Sequence, residues 1–250
     1  MRYFISLSYN GSAFSGWQIQ ENANSVQNEV QKALSTLLKE PIQVVGAGRT
    51  DSGVNAKNYI AHFNTNTQIT SARDFTYKLN AILPKEISIH NIFLVPDSMH
   101  ARFSAKSRTY KYYIHTEKDP FYANFSYSLP PNRLNFEKMN IAAKYFLGEQ
   151  DFSSLEKIGA DNKTSICNVT EAYWEPLDSN DFNTATHFVF TVTANRFLRN
   201  MVRAMVGSLL NVGFGKKEPE WIIEMLAQRN RNAAGHSVPG NALFLTKIEY

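Results

Sequence analysis

The hydrophobic patterning of the chain predicts an α+β protein made of two halves with similar element order. Three observations predict it. Alternating apolar and polar residues, the period of a half-buried strand, open each half; apolar residues every three or four positions, the period of a helix, follow; and Gly or Pro punctuates the junctions. At 250 residues the chain can form one large domain or two smaller ones, each with a sizeable core.

Residues 2–9 (RYFISLSY) alternate Tyr3, Ile5 and Leu7 against Phe4, Ser6 and Ser8 and read as a strand. After a loop containing Gly11 and Gly16, Val26, Val30, Ala33, Leu34, Leu37 and Leu38 mark one face of a helix, with Asn24 or Ser25 as N-cap and Pro41 beyond its end. Residues 42–45 form a short strand and 59–64 another. Ser71 caps a second helix carrying Phe75, Leu79 and Ile82, which Pro84 stops, and residues 87–95 close the half as a strand. The order is βαββαβ, the split arrangement of ferredoxin-like domains, which leaves one sheet face open.

The second half follows the same plan. Residues 109–115 are a strand, 136–147 a helix, and 166–174 and 188–194 strands; 197–212 is a long helix closed by Gly213 and Gly215, 219–226 an added helix, and 243–250 the last strand. The order is βαββααβ. The junction falls near residues 99–107, which divides the chain into an N-terminal α+β domain over 1–104 and a C-terminal one over 105–250. The repeat is one of element order; the residues themselves show no self-similarity.

Composition narrows the function. One cysteine, Cys167, permits no intramolecular disulfide and no cysteine zinc site, which fits a reducing compartment. The start MRYFISLSYNGS lacks the apolar core of a signal peptide, and no stretch is long and apolar enough for a membrane span, so a soluble cytoplasmic protein with no membrane partner is expected. A net charge of +4, a pI near 9.0 and 13% aromatic residues suit a nucleic-acid partner. His62, His90, His100, His115, His187 and His236 include no pair at helical ligand spacing, so no metal is expected. No G-x-S-x-G and no phosphate-loop signature is present, which argues against serine hydrolysis and nucleotide-triphosphate chemistry.

The stretch GAGRTDSGVNAKNYIAHF, residues 46–63, carries the candidate chemistry. Asp51 stands between Gly48 and Gly53, two residues after Arg49, in a loop whose glycines allow sharp bends and close approach. A cation beside a lone carboxylate suits a reaction centre next to a polyanion; the same residues also suit an Asx-turn and a solvated arginine. Arg196, Arg199 and Arg203 fall on one stripe if 197–212 is helical, and Arg203, among Val202, Met205 and Val206, is the one expected to turn inward and meet a carboxylate. The segment HARFSAKSRTYKYY, residues 100–113, interleaves Arg102, Lys106, Arg108 and Lys111 with Phe103, Tyr110, Tyr112 and Tyr113, a pattern fit for phosphates and stacked bases. Tyr112 fits a core position better; the pattern leaves Tyr110 undecided.

These blocks resemble a known family. GAGRTDSGVNA resembles the GRTDxGVxA signature of TruA-type tRNA pseudouridine synthases, and YNGSAFSGWQIQ, LNAILPKEI, HARFSAKSRTYKYYI, ANRFLRNMVRAMVGSLL and AGHSVPGNALFLTKIEY agree in the same order, over nearly the whole chain. The resemblance implies a pseudouridine synthase fold with a central cleft, and an isomerase converting uridine to pseudouridine at positions 38–40 of the tRNA anticodon stem-loop. It implies Asp51 as catalytic carboxylate, Arg49 assisting base flipping, Tyr110 stacking on the target base, Arg203 pairing with Asp51 and Leu245 at the pocket floor. It further implies a homodimer and no cofactor. The chain departs from the family at Asn55, where GVHA is common, and in VPGNAL, where Ala242 replaces a glycine.

The reaction asks little else of the sequence. The C1′–N1 bond breaks and a C1′–C5 bond forms, with no redox change, so one ionised carboxylate and a dry pocket that clamps the base suffice. Asp51 attacking C1′, attacking the base, or removing a ribose proton are all compatible with it. Two rival functions share the scaffold: a non-catalytic tRNA-binding or chaperone protein, and a nucleoside or glycoside hydrolase, which would ask for two carboxylates.

Overall fold

The computed structural model of the chain describes residues 1–130, 134–159 and 163–250. In chain order the elements are β1 (Arg2–Tyr9), α1 (Val26–Leu38), β2 (Val44–Gly46), β3 (Asn55–Asn64), α2 (Ala72–Ile82), β4 (Ile87–Val95), β5 (Ser107–His115), β6 (Tyr127–Ser128), α3 (Phe136–Lys144), β7 (Gly148–Asp151), β8 (Ile166–Pro176), β9 (His187–Ala194), α4 (Met201–Gly213), α5 (Trp221–Ala227) and β10 (Leu243–Glu249). The protein is therefore mixed α+β. Contacts gather these elements into two compact units, Met1–Lys106 with Leu245–Tyr250, and Ser107–Phe244. A division at 104/105 keeps the terminal strand with the second half; its residues from Leu245 onward pack with the first.

In the first unit β1 pairs antiparallel with both β3 and β4, β2 pairs antiparallel with β3, and β10 adjoins β3. Tyr3, Ile5, Leu7 and Tyr9 of β1 are all buried, as the alternation requires. Helix α1 buries Val26, Val30, Ala33, Leu34 and Leu38, a stripe at helical spacing in which each fully buried Val or Leu contributes about 1.5–3 kcal/mol. Ser25 is its N-cap, accepting from Asn28 N at 3.3 Å, and Ser71 caps α2 by accepting from Asp74 N at 3.3 Å. Asn80 on α2 clamps β4: its Oδ1 accepts from Ile89 N (2.7 Å) and its Nδ2 donates to Ile89 O (2.9 Å).

In the first unit β2 and β3 differ from the sequence expectation. β2 starts at Val44, and side chains take backbone donors at its entry: Ile42 N donates to Ser35 Oγ (3.0 Å) and Val44 N to Gln31 Oε1 (2.9 Å). β3 starts four residues early, at Asn55, and reaches Tyr9 through a register shift in which Ala56 opposes Tyr9.

In the second unit β5, β9, β8 and β7 follow one another in an antiparallel sheet, and β6 adds to β5 in parallel, so the sheet is mixed. Asn135 caps α3 by accepting from Lys138 N (2.9 Å), and Phe136 stacks on Phe188 with ring centres 4.0 Å apart. The expected helix over 197–212 begins only at Met201. Asn200 takes a left-handed conformation (φ 69°), which interrupts the helix. Arg196 and Arg199 therefore lie in irregular chain, and the three arginines do not share a helical stripe; only Arg203 is on α4.

His62 on β3 is buried, and its Nδ1 accepts from Ala101 N at 3.1 Å. Burial first, then the neighbouring His100 and Arg2, lowers its pKa from 6.5 to about 4. A base whose folded value lies below its unfolded one contributes stability that is complete above the unfolded value and lost as pH falls. Thermal unfolding followed between pH 7 and pH 4 should thus show a falling midpoint below about 6.5, with about 1–3 kcal/mol at stake from this residue. His62→Asn, which keeps an acceptor for Ala101 N and cannot titrate, should flatten that fall.

Candidate active site

The loop between β2 and β3 in the first unit is held by backbone contact. Gly16 has φ +96°, and a Cβ there would lie 2.4 Å from Thr50 O and 3.2 Å from the Asp51 carbonyl carbon. Only glycine permits that approach. Trp17 N donates to Thr50 O at 3.3 Å, and Val54 N to Asp51 O at 3.2 Å, which closes the turn around the acid. The hydroxyls of Tyr9 and Thr50 lie 2.9 Å apart, so the side chain next to Asp51 is anchored in the core.

Beneath the loop sit three aromatic rings that the sequence reading did not assign. Trp17 and Tyr59 stack with centres 4.1 Å apart, and Tyr9 packs against both. The Tyr59 hydroxyl donates to Gly48 O, and a Cβ at Gly46 would meet that hydroxyl at 2.1 Å and the Trp17 indole at 2.5 Å. The signal for this support is in the sequence: Gly11, Gly16 and Trp17 lie in YNGSAFSGW, and Gly46 and Tyr59 flank the acid loop. Arg49 is exposed, Asp51 half-buried and Thr50 buried. Leu245, on β10 in the same unit, is buried.

Asn55, one of the departures from the family pattern, is 2% exposed, and its Oδ1 accepts from Gly11 N at 2.8 Å. It is a structural tie between the end of the acid loop and the Gly11 turn.

The second unit holds the other two expected residues. Tyr110, on β5 opposite Val192, is half-buried, with the Phe197 ring edge-on at 5.1 Å. Arg203, half-buried on α4, donates from Nε to Val238 O (2.7 Å), and Val238 N donates to Arg203 O (3.3 Å). The first of these orients the guanidinium, and the second ties the two backbones. The block around it is stitched to α4: Asn200 Nδ2 donates to Ser237 Oγ (2.7 Å), Gly235 N donates to Ser208 Oγ (3.0 Å), and a Cβ at Gly207 would lie 1.7 Å from His236 O. Ala242 is buried within this block.

Tyr112 fills the core, donates to Pro239 O (3.0 Å), and is pushed above the ordinary phenol range by burial. Burial likewise raises the Cys167 thiol to about 11, which makes it an inert thiol. Among the described residues no group of three or more His, Cys, Asp or Glu is placed to hold a metal ion, and no helix is long and apolar enough to cross a membrane.

Comparison with known proteins gives these blocks a context. A family model described as tRNA pseudouridine synthase matches residues 142–250. Across 249 residues the chain is 47% identical to tRNA pseudouridine synthase A of Parabacteroides distasonis, covering 100% of this chain and 96% of that one. The same-named protein of Bacteroides thetaiotaomicron is 46% identical, with 100% and 90% covered, and that of Bacillus subtilis 37% identical, with 100% and 99% covered.

The anchoring of the acid loop is measurable apart from any activity. Asn55→Ala leaves the buried Gly11 N–H without its acceptor and should cost about 1–3 kcal/mol. Urea unfolding should show a lower midpoint at unchanged slope; a midpoint equal to that of the parent would remove Asn55 from the loop's support.

Proposed function

Because the chain belongs to the tRNA pseudouridine synthase A family, and so is an isomerase that converts uridine in tRNA to pseudouridine, we propose that its target is positions 38–40 of the anticodon stem-loop and that Asp51 is its one catalytic carboxylate. The observation that carries this is the placement of Asp51. A half-buried acid sits in a turn whose backbone is pinned by Gly16, Trp17 and Thr50, beside the exposed Arg49. Preorganisation of that kind serves a reacting group.

In the reaction the C1′–N1 bond breaks, the uracil turns in the site, C1′ bonds to C5, the C5 proton leaves to solvent and N1 takes up a proton, so the product is an isomer of the substrate. The target base lies inside a stem or stacked loop and must first be extruded. Arg49, exposed at the loop, assists that flipping. Tyr110 stacks on the extruded base, Arg203 pairs with Asp51 and favours its ionised form, and Leu245 supplies apolar floor that helps keep the freed uracil from water. The frame for these roles is two ferredoxin-like α+β halves, the residues from Leu245 onward packing with the first. The pairing of β1 with β3 and β4, and of β2 with β3, supports that reading for the first. The working form is a cytoplasmic homodimer in which one tRNA touches both subunits.

Asp51→Ala should lower pseudouridine formation in a purified anticodon stem-loop by about 10²–10⁴-fold or more, read as tritium release from C5-labelled uridine, while tRNA binding stays within about three-fold. Undiminished product in that variant would overturn the assignment of Asp51. Free uracil accumulating in place of a mass-neutral product would favour a hydrolase instead.

A further inference from the structure

The basic and aromatic segment 100–113 is only partly used by these roles. Phe103 is 77% exposed. A single exposed apolar ring is ordinary on a protein surface; what sets this one apart is the construction of the turn that carries it. His100 Nδ1 accepts from two successive backbone groups, Arg102 N (3.1 Å) and Phe103 N (3.2 Å). His100 N donates to Ser104 Oγ (2.9 Å) and Ser104 N returns to His100 O (2.9 Å). Behind the turn, Ala101 N donates to His62 Nδ1 (3.1 Å), Ala101 O accepts from the Tyr250 hydroxyl (2.8 Å), and Arg2 donates to Met99 O (2.9 Å). The turn is rigid, and it presents its largest apolar side chain to solvent.

The rings of His100 and Phe103 lie 4.4 Å apart and 32° from parallel, and the Arg102 guanidinium carbon is 5.7 Å from the Phe103 ring centre. Burial and the nearby Arg2 lower the His100 pKa, which keeps Nδ1 available as the acceptor that orders the turn. The chain around the turn suits a polyanion: Arg102 and Lys106 flank Phe103, and from His100 to Thr116 the sequence has no acidic residue. Two other strongly exposed rings lack this setting. Phe121 is 88% exposed, but its backbone N–H is held by the Asp119 carboxylate at 2.8 Å; Tyr77 is 76% exposed on α2, three residues from Asp74.

We propose that Phe103 is a stacking platform for an unpaired nucleobase of the RNA substrate, additional to the target-base contact assigned to Tyr110, with Arg102 taking the adjoining phosphate. The inference rests on tRNA being the substrate. An unstacked base finds its complement in an aromatic face, a cation beside it finds a phosphate, and a pre-ordered turn lowers the entropic cost of both.

The test is equilibrium binding of full-length unmodified tRNA, by fluorescence anisotropy at fixed salt, with single-turnover rates at saturating tRNA alongside. Phe103→Ala should weaken binding by about 10- to 100-fold, the range expected for one stacked base, and change the saturated rate by less than about two-fold. Phe103→Trp and Phe103→Tyr should bind as the parent does, and Phe103→Leu as poorly as the alanine variant. Because the ring is exposed, all four should melt where the parent melts. Unchanged binding by Phe103→Ala overturns the proposal. So does parent-like binding by Phe103→Leu, which would show an apolar contact without stacking, and so does a changed sedimentation coefficient, which would show a contact between copies of the chain. A parent protein that binds tRNA but forms no pseudouridine would refute the functional reading, and the binding series would still decide this one; a parent that does not bind tRNA would refute both.

Discussion

The approach of Gly16 to the backbone at Thr50 and Asp51 is the constraint on which the first unit's acid loop depends. A methyl group at Gly16 would stand 2.4 Å from Thr50 O, so the two chain segments meet main chain to main chain. Such contact is stiff, because no side-chain rotamer can absorb a displacement. Trp17 N, the next donor along, reaches the same carbonyl at 3.3 Å, and the hydroxyls of Tyr9 and Thr50 meet on its core side. The acid's backbone position is thus set by a strand end, a glycine turn and an aromatic cluster, and its side chain remains half-exposed for chemistry.

Periodicity and capping made most elements legible. β1 and α1 follow from alternation and helical spacing, and Ser25 and Ser71 cap the helices the pattern predicts. What stayed hidden depended on single residues adopting uncommon states. Asn200 at φ 69° starts α4 four residues later than the apolar run suggests, and nothing in ANRFLRNM marks that asparagine as left-handed. β3 begins in NAKN, a polar stretch that resembles loop, because Asn55 is satisfied by Gly11 N across the sheet end and not by solvent. β6 and β7, of two and four residues, are too short for any period to register. For the proposed site, the family blocks single out Asp51, Arg49, Tyr110, Arg203 and Leu245; the residues that support the acid loop, Tyr9, Trp17 and Tyr59, lie in or beside the same blocks, but their stacking is a three-dimensional relation that no spacing announces.

Polar groups inside the first unit are arranged so that each defines a turn. Glu40 is held below the usual carboxylate range chiefly by the Thr65 hydroxyl, with the backbone N–H groups of Thr67 and Asn66 adding to it against desolvation. One carboxylate thereby fixes the turn leading out of β3. His62 does the same for the segment after β4, accepting from Ala101 N and supporting His100, whose own Nδ1 orders the Arg102–Phe103 turn. A neutral imidazole suits this task because it offers an acceptor without the cost of a buried charge.

The blocks shared with the family fall into pairs that need each other in space. YNGSAFSGW and GAGRTDSGVNA are the two sides of one contact, through Gly16 against Thr50 and Gly11 N against Asn55. MVRAMVGSLL and AGHSVPGNAL are the two sides of another, through Gly207 against His236, Ser208 against Gly235, and Arg203 against Val238. In each pair a glycine lets backbones touch and a side chain satisfies the polar group left over. This explains why glycines and other small residues surround Asp51 and Arg203 in the sequence. It also accounts for the departure at Asn55: a buried acceptor is what the Gly11 N–H requires, and asparagine supplies one.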